Sequence, residues 1–212
     1  MKIPNPRQIA DPIREGKTWG EPLTMTYSII TTDSVFASDY LDGTVYSGAH
    51  ENIVNATSAM ITAMDKAFAL ISQYTGITFV KVPETSTQVG DIRIGVTTSS
   101  KVLAANVPAF SFSSFDNGPA NGDIWLHSTG SNLDGDWSTG SFGFMTLLHE
   151  IGHSMGLKHP HALGNPASGW IPPKMSTVYD HLGYTLMSYR DYLGDDFEGE
   201  GEGFYLYNQL RD

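Results

Sequence analysis

Four residues in the C-terminal half of the sequence could do hydrolytic chemistry together. They are His149, Glu150, His153 and His159, in the run His149-Glu150-Ile151-Gly152-His153-Ser154-Met155-Gly156-Leu157-Lys158-His159. On a helix, residues four apart differ by about 40° in azimuth, so the imidazoles of His149 and His153 stand on one face and can converge on one cation. Neutral imidazole suits Zn²⁺. Gly156 follows His153 by three residues and allows the positive φ of a sharp helix stop. The turn returns His159 to the same ion as a third ligand. Three protein ligands leave a fourth position for water, the arrangement of a catalytic zinc site rather than a closed structural one. Glu150 stands beside that water as general base and acid, and zinc lowers the water's pKa toward about 7.

These residues need a rigid carrier. The spacing predicts a helix from about Ser141 to Met155, with Phe144, Leu148, Ile151 and Met155 forming an apolar stripe almost opposite the histidines. That stripe calls for a sheet beneath it and leaves the imidazoles facing a cleft. Strands are read at Leu23 to Ile29, Ile92 to Val96, Phe110 to Phe112 and around Ile124 and Leu126 by their period of two, and at Ile77 to Val82 by its β-branched residues. A first helix is read from Asn52 to Tyr74, with Ile53, Met60, Met64, Ala67, Phe68 and Ile71 on one face and Gly76 ending it. Beyond Gly156, Pro160, Pro166, Pro172 and Pro173 exclude long helices before about Tyr179. The fold class is α+β.

Composition narrows the partners. The 212 residues hold 12 basic against 23 acidic side chains, a net charge of -11, which argues against nucleic acid and anionic membranes. With 40% hydrophobic and 17% charged residues the chain is an ordinary globular protein. There are no cysteines, which excludes a Cys-rich structural zinc site and latency through a thiol on the metal. The stretch from Met1 to Gly20 has no apolar core of a secretory signal, and no window approaches a membrane span.

The extended histidine motif resembles the metzincin clan of zinc endopeptidases. Tyr184-Thr185-Leu186-Met187-Ser188-Tyr189 looks like the clan's Met-turn, with Met187 passing beneath the zinc. Pro160 after the third histidine, and Tyr189 two residues after Met187, are similar to serralysins, the bacterial secreted proteases. The resemblance implies a metzincin-like zincin fold: a twisted mixed five-stranded sheet with an antiparallel edge strand, two long helices and an irregular C-terminal lower lobe. It implies that Tyr189 is a displaceable zinc ligand that supports the oxyanion, and that Gly122, Asp123, Ile124 and Trp125 form the edge strand on which a substrate peptide adds as a strand. It also implies a catalytic domain over 21–212, with an upper lobe at about 21–156 and a lower lobe at about 157–212. Residues 1–20 are then an N-terminal extension or propeptide remnant. The implied location is extracellular and bacterial, although no export signal and no calcium-binding repeat are read in this chain. The implied partners are a polypeptide substrate and a proteinaceous inhibitor, with the chain a monomer.

Other features carry less. Asn132, Asp134 and Asp136 alternate like part of a calcium loop, but no Glu closes it, so Ca²⁺ is the weaker reading there. His50, His127, His161 and His181 lie outside the motif. Of these, His161 is read first as a surface-loop residue, with a place on the cleft rim or behind a ligand as the alternative, and His127, at the end of the edge strand, reaches the cleft only on a minor reading. Asn55-Ala56-Thr57 is formally a glycosylation acceptor but falls in the predicted first helix. A rival to the enzyme reading is a zinc-binding peptide-recognition module without turnover, against which the intact Glu150 speaks. A zinc hydrolase acting on a non-peptide bond is a third reading, disfavoured by the strand-addition groove.

Overall fold

The sheet is organised on β4 (Ile92–Thr97), whose six residues are all buried. The computed structural model describes residues 6–16, 19–20, 24–42, 44, 46–100, 108–112, 118–128, 135–162 and 173–191. Two compact units divide the chain: a sheet unit, Trp19–Met155, and a second unit that joins Met1–Thr18 to Gly156–Asp212.

In the sheet unit the strand order is β3-β1-β4-β6-β5, with a sixth short strand, β2, also on β4. β1 (Thr24–Ile29) pairs in parallel with β3 (Thr78–Lys81) and with β4. β6 (Ile124–His127) runs parallel to β4 on its other side. β5 (Ala109–Ser111) closes the path antiparallel to β6, and β2 (Ile53–Val54) is antiparallel to β4. The mixed sheet with an antiparallel edge agrees with the α+β expectation, with one strand more than the five expected.

The identity of that edge is a correction. The sequence reading placed the edge at Gly122 to Trp125. In the structure β6 is hydrogen-bonded on both sides, and Asp123, Ile124, Trp125 and Leu126 are at most 2% exposed. The last described strand on that side is β5. The period of two showed which face each side chain takes but says nothing about which strands lie alongside.

Helices cover one face. α2 (Ser58–Thr75) is capped by Thr57, whose hydroxyl accepts from Met60 N, and ends at Gly76 with φ of 73°. Met60, Ala63, Met64, Ala67 and Phe68 bury its inner face. The start at Ser58 is later than the expected Asn52, because Ile53 is spent on β2 and Thr57 supplies the cap. The sequon at Asn55 therefore precedes the helix. α3 (Phe142–Ser154) begins at Ser141, whose Oγ accepts from Phe144 N. Phe144, Leu147 and Ile151 join the side chains of α2, Ile92, Ile94, Val96, Ile124 and Leu126 in the main core.

The opposite face is covered by the segment after β1. Tyr40, Leu41 and Ala49 pack on Phe110, Phe112 and Trp125. Gly95 faces Trp125 in register, and a Cβ there would come within 2.6 Å of the indole, so glycine is what lets the ring lie across β4. Beside it runs a buried polar network. The Arg93 guanidinium sits 4.5 Å above the Phe36 ring and donates Nε–H to Glu84 Oε1 at 3.0 Å. Glu84 Oε2 accepts from Ser28 Oγ. Tyr40 donates to Asp123 Oδ2 at 2.6 Å, and Trp125 Nε1–H donates to the Tyr40 oxygen at 3.1 Å. Burial pushes the Asp123 carboxyl up to about 7, against the Tyr40 hydrogen bond and the Arg93 charge, which pull it down. Tyr40 is held well above its ordinary value by burial and by the Asp123 charge.

In the second unit, α1 (Pro6–Ala10) leads through a 3₁₀ turn (Asp11–Ile13) into a short bridge between Arg14 and Leu157. Glu15 N donates to Gly156 O at 2.8 Å and Lys158 N to Ile13 O at 2.7 Å. Residues 173–191 follow as successive turns, tied to the same segment by Met175 N to Pro160 O at 2.9 Å.

Candidate metal centre

α3 places its histidines as their spacing predicts. His149 is 2% exposed, His153 is half-buried, and their Nε2 atoms lie 3.0 Å apart. Two nitrogens bound to one tetrahedral zinc at about 2.0–2.1 Å are separated by roughly 3.3 Å, so the same two atoms already point where a shared ion needs them. Glu150 follows on the same helix, 6% exposed, and its Oε2 has no hydrogen-bond partner among the described residues. Burial pushes this carboxyl up to about 8. A cation at the neighbouring imidazoles would favour its ionised form and draw it back down. Two converging imidazoles, with a buried and unpaired carboxyl oxygen on the same helix, fit a divalent cation better than they fit an apolar core.

The end of α3 is fixed from both directions. Trp19 Nε1–H donates to Ser154 O at 2.8 Å, satisfying one of the carbonyls that a helix end leaves open. Gly156 then takes φ of 89°, a conformation that costs other residues strain.

In the second unit, His159 is half-buried and has two rings against it. Tyr189 lies at 4.2 Å between centroids with planes inclined by 52°, and His161 is stacked at 5.3 Å with planes 11° apart. Met187, before Tyr189, is 2% exposed, and its backbone N–H donates to Thr185 Oγ1 at 3.1 Å. Ser188 donates to the buried Asp180 at 2.7 Å, and Arg190 Nη1 reaches the other oxygen of Asp180 at 3.5 Å. The turn before and after Tyr189 is thereby held through one carboxylate. Lys158 is 4% exposed; burial lowers its pKa while the charges of Glu15 and Asp180 raise it.

Among the described residues, His149, His153 and His159 form a group that could hold a metal ion. Gly122, Asp123, Ile124 and Trp125 are structural here: Trp19 packs on Gly122, and the other three are buried as described above. His127 ends β6 at 1% exposure, its pKa lowered by burial. Of the proposed calcium residues only Asp136 is described, and its Oδ1 accepts from Ser138 N at 2.9 Å; Asn132 and Asp134 lie outside the described residues.

Two features escaped the sequence reading. The edge strand is β5, and Pro108 immediately before Ala109 was the available signal, since proline in sheets is confined to edges and strand starts. The buried ammonium of Lys158 had no signal, because a single lysine between ligands reads as solvated.

The family model for Matrixin (Peptidase_M10) matches residues 44–167, more than half of the chain. Metalloprotease AprA of Pseudomonas entomophila is 34% identical over 110 residues, covering 49% of this chain and 22% of that protein. Serralysin B of Dickeya chrysanthemi is 35% identical over 85 residues, covering 38% of this chain and 17% of its own length. The chain thus spans about a fifth of the length of these curated relatives. Among solved structures, that of myroilysin is 18% identical with a TM-score of 0.42, covering 70% of this chain and 55% of that one.

Proposed function

The chain belongs to the Matrixin family, Peptidase_M10, and from that premise we propose that it is a zinc-dependent endopeptidase with His149, His153 and His159 as the metal ligands. The observation that carries the reading is the pair of Nε2 atoms 3.0 Å apart on the helix whose Glu150 has a buried carboxyl with Oε2 unpartnered among the described residues. His159 follows His153 by six residues around the Gly156 turn, well within the reach of the chain. Similarity to proteins named serralysin and metalloprotease supports the same assignment.

Bound at this set, zinc supplies a Lewis acid that acidifies water toward a pKa of about 7. Glu150 would serve as general base toward the attacking water and as general acid toward the leaving amine. Its carboxyl, buried and with Oε2 free of competing hydrogen bonds among the described residues, keeps its basicity for this proton transfer. Tyr189, whose ring lies against His159, would be a further ligand at rest, and its phenol O–H would donate a hydrogen bond to the developing oxyanion. Met187 forms the floor.

The substrate strand pairs with β5. In the ladder to β6, His127 N donates to Pro108 O and Phe112 N to Asp123 O. Alternation in an antiparallel pair then turns the backbone groups of Ala109 and Ser111 away from β6, toward an added peptide. The catalytic domain spans 21–212, and residues 1–20 precede it as an N-terminal extension or propeptide remnant. The protein acts outside the cell as a monomer subject to a proteinaceous inhibitor. No described helix is long and apolar enough to cross a membrane.

The test is hydrolysis of casein by the zinc-loaded chain, beside Glu150→Ala and a chelator-treated sample. Cleavage lost in both and restored by zinc only in the chelated wild type supports the assignment. A folded chain that holds one zinc and leaves casein intact points to a peptide-recognition module instead.

A further inference from the structure

The rings of His149 and His153 are oriented by a helix, whereas His159 lies beyond the end of α3 on the turn 158–162, so its orientation must come from elsewhere. Its backbone is pinned from below. The Lys158 ammonium donates to His159 O at 3.1 Å and to Ala162 O at 2.6 Å, and Ala162 N donates to His159 O at 3.1 Å. With Lys158 4% exposed, these bonds are made by a desolvated charge, which makes them stronger and the turn stiffer. Pro160 O accepts from Met175 N, a further tie within the same turn.

The ring of His159 is held from the side. Tyr189 and His161 lie against it and against one another, the latter pair at 5.5 Å. The two neighbours differ in what the reaction asks of them. In the proposed mechanism Tyr189 would leave its resting place to reach the oxyanion, and a ring held only by Tyr189 would lose its support at that moment. His161 sits on the pinned turn, two residues from His159, and has no reason to move. Its stacked geometry also separates it from the ligand role: its nitrogens lie in a plane parallel to the His159 ring, not aimed at an ion within that ring's plane.

We propose that His161, carried on the turn that Lys158 pins, is a positioning residue that holds the His159 ring in its metal-binding orientation while Tyr189 moves. The inference rests on the zinc-peptidase reading and adds to it a residue that acts through a ligand. Partners that orient ligands in this way affect metal affinity and activity by about 10- to 100-fold.

The experiment uses the full chain as wild type, His161→Ala, His161→Phe and Lys158→Met. Zinc affinity is measured by competition with a chromophoric chelator, the visible spectrum is recorded after Co²⁺ substitution, and kcat and KM are measured on a casein-derived peptide. His161→Ala is expected to weaken zinc binding by about 10- to 100-fold, shift the Co²⁺ bands and lower kcat more than it changes KM. His161→Phe keeps a ring face and should recover zinc affinity to within about threefold of wild type. Lys158→Met should weaken zinc binding in the same direction as His161→Ala. If His161→Ala does not fold, His161→Leu, of similar bulk and no planar face, replaces it against His161→Phe. Wild-type zinc affinity and an unchanged Co²⁺ spectrum in the ringless variant would overturn the positioning role alone. A wild-type chain that binds no zinc would overturn the underlying reading as well.

Discussion

Replacing Asp123 by Asn should flatten part of the pH dependence of stability, and the structure gives the size and sign. Asp123 is 2% exposed, and burial raises its carboxyl from 3.8 to about 7. In the unfolded chain it titrates near its ordinary value. Between about pH 4 and pH 7 the folded state therefore holds a proton that the unfolded state has released. Stability is fully present below about pH 4 and is lost as pH rises through about 7, at about 1.4 kcal/mol per pH unit. From pH 5 to pH 8 the wild type should lose about 3 kcal/mol relative to Asp123→Asn, whose neutral amide has the shape of the protonated acid and does not titrate. The assay is urea unfolding followed by tryptophan fluorescence at pH 5, 6, 7 and 8, with the zinc level fixed so that metal linkage cancels in the difference. Trp19, Trp125 and Trp137 all report from the sheet unit. A difference between the two proteins that stays within about 0.5 kcal/mol over this range would refute the reasoning. It would mean that Tyr40 and Arg93 keep the carboxylate ionised throughout, outweighing the cost of burial.

Other perturbations test neighbouring parts of the argument. Glu84→Gln leaves the buried Arg93 without its charge partner and should cost about 3–5 kcal/mol, lowering the thermal midpoint by roughly 6–20 °C in a calorimetric scan. Gly95→Ala drives a methyl into the Trp125 ring and should cost about 1–3 kcal/mol in urea unfolding, with zinc affinity unchanged. Ser111→Pro removes an outward donor of β5 while leaving the bonds to β6 at Pro108 and Phe112; peptide KM should rise several-fold while cleavage of a minimal substrate too short to pair changes little.

Much of this could be read from local pattern. Ser141, the apolar stripe Phe144, Leu148, Ile151 and the stop at Gly156 describe α3 within a residue at each end, because capping, periodicity and positive φ are properties of neighbouring residues. The pairing of His149 with His153 follows from the same helix geometry. What escaped was lateral. Ile124 and Leu126 announced a strand and its buried face, yet the pleat looks alike whether one side or both sides are bonded, so β6 was mistaken for the edge. Ile53 was drawn into α2 because an apolar residue at helical spacing does not reveal that a strand 40 residues away will claim it. The network of Arg93, Glu84, Asp123 and Tyr40 joins the segment 84–93 to two positions far from it in sequence, and no short-range spacing encodes it.

The bridge between residues 13–15 and 156–158 has a consequence for biosynthesis. Glu15 bonds to a glycine that emerges from the ribosome roughly 140 residues later, on the order of ten seconds at ordinary elongation rates. The strands β1 to β6 emerge within that interval, and α3, whose Phe144, Leu147 and Ile151 complete their core, arrives at its end. The opening segment meanwhile waits for its partner, and the backbone of the third histidine's turn is tied down only when the two meet. The turn that carries His159 is thus closed later in synthesis than the strands β1 to β6 of the sheet unit.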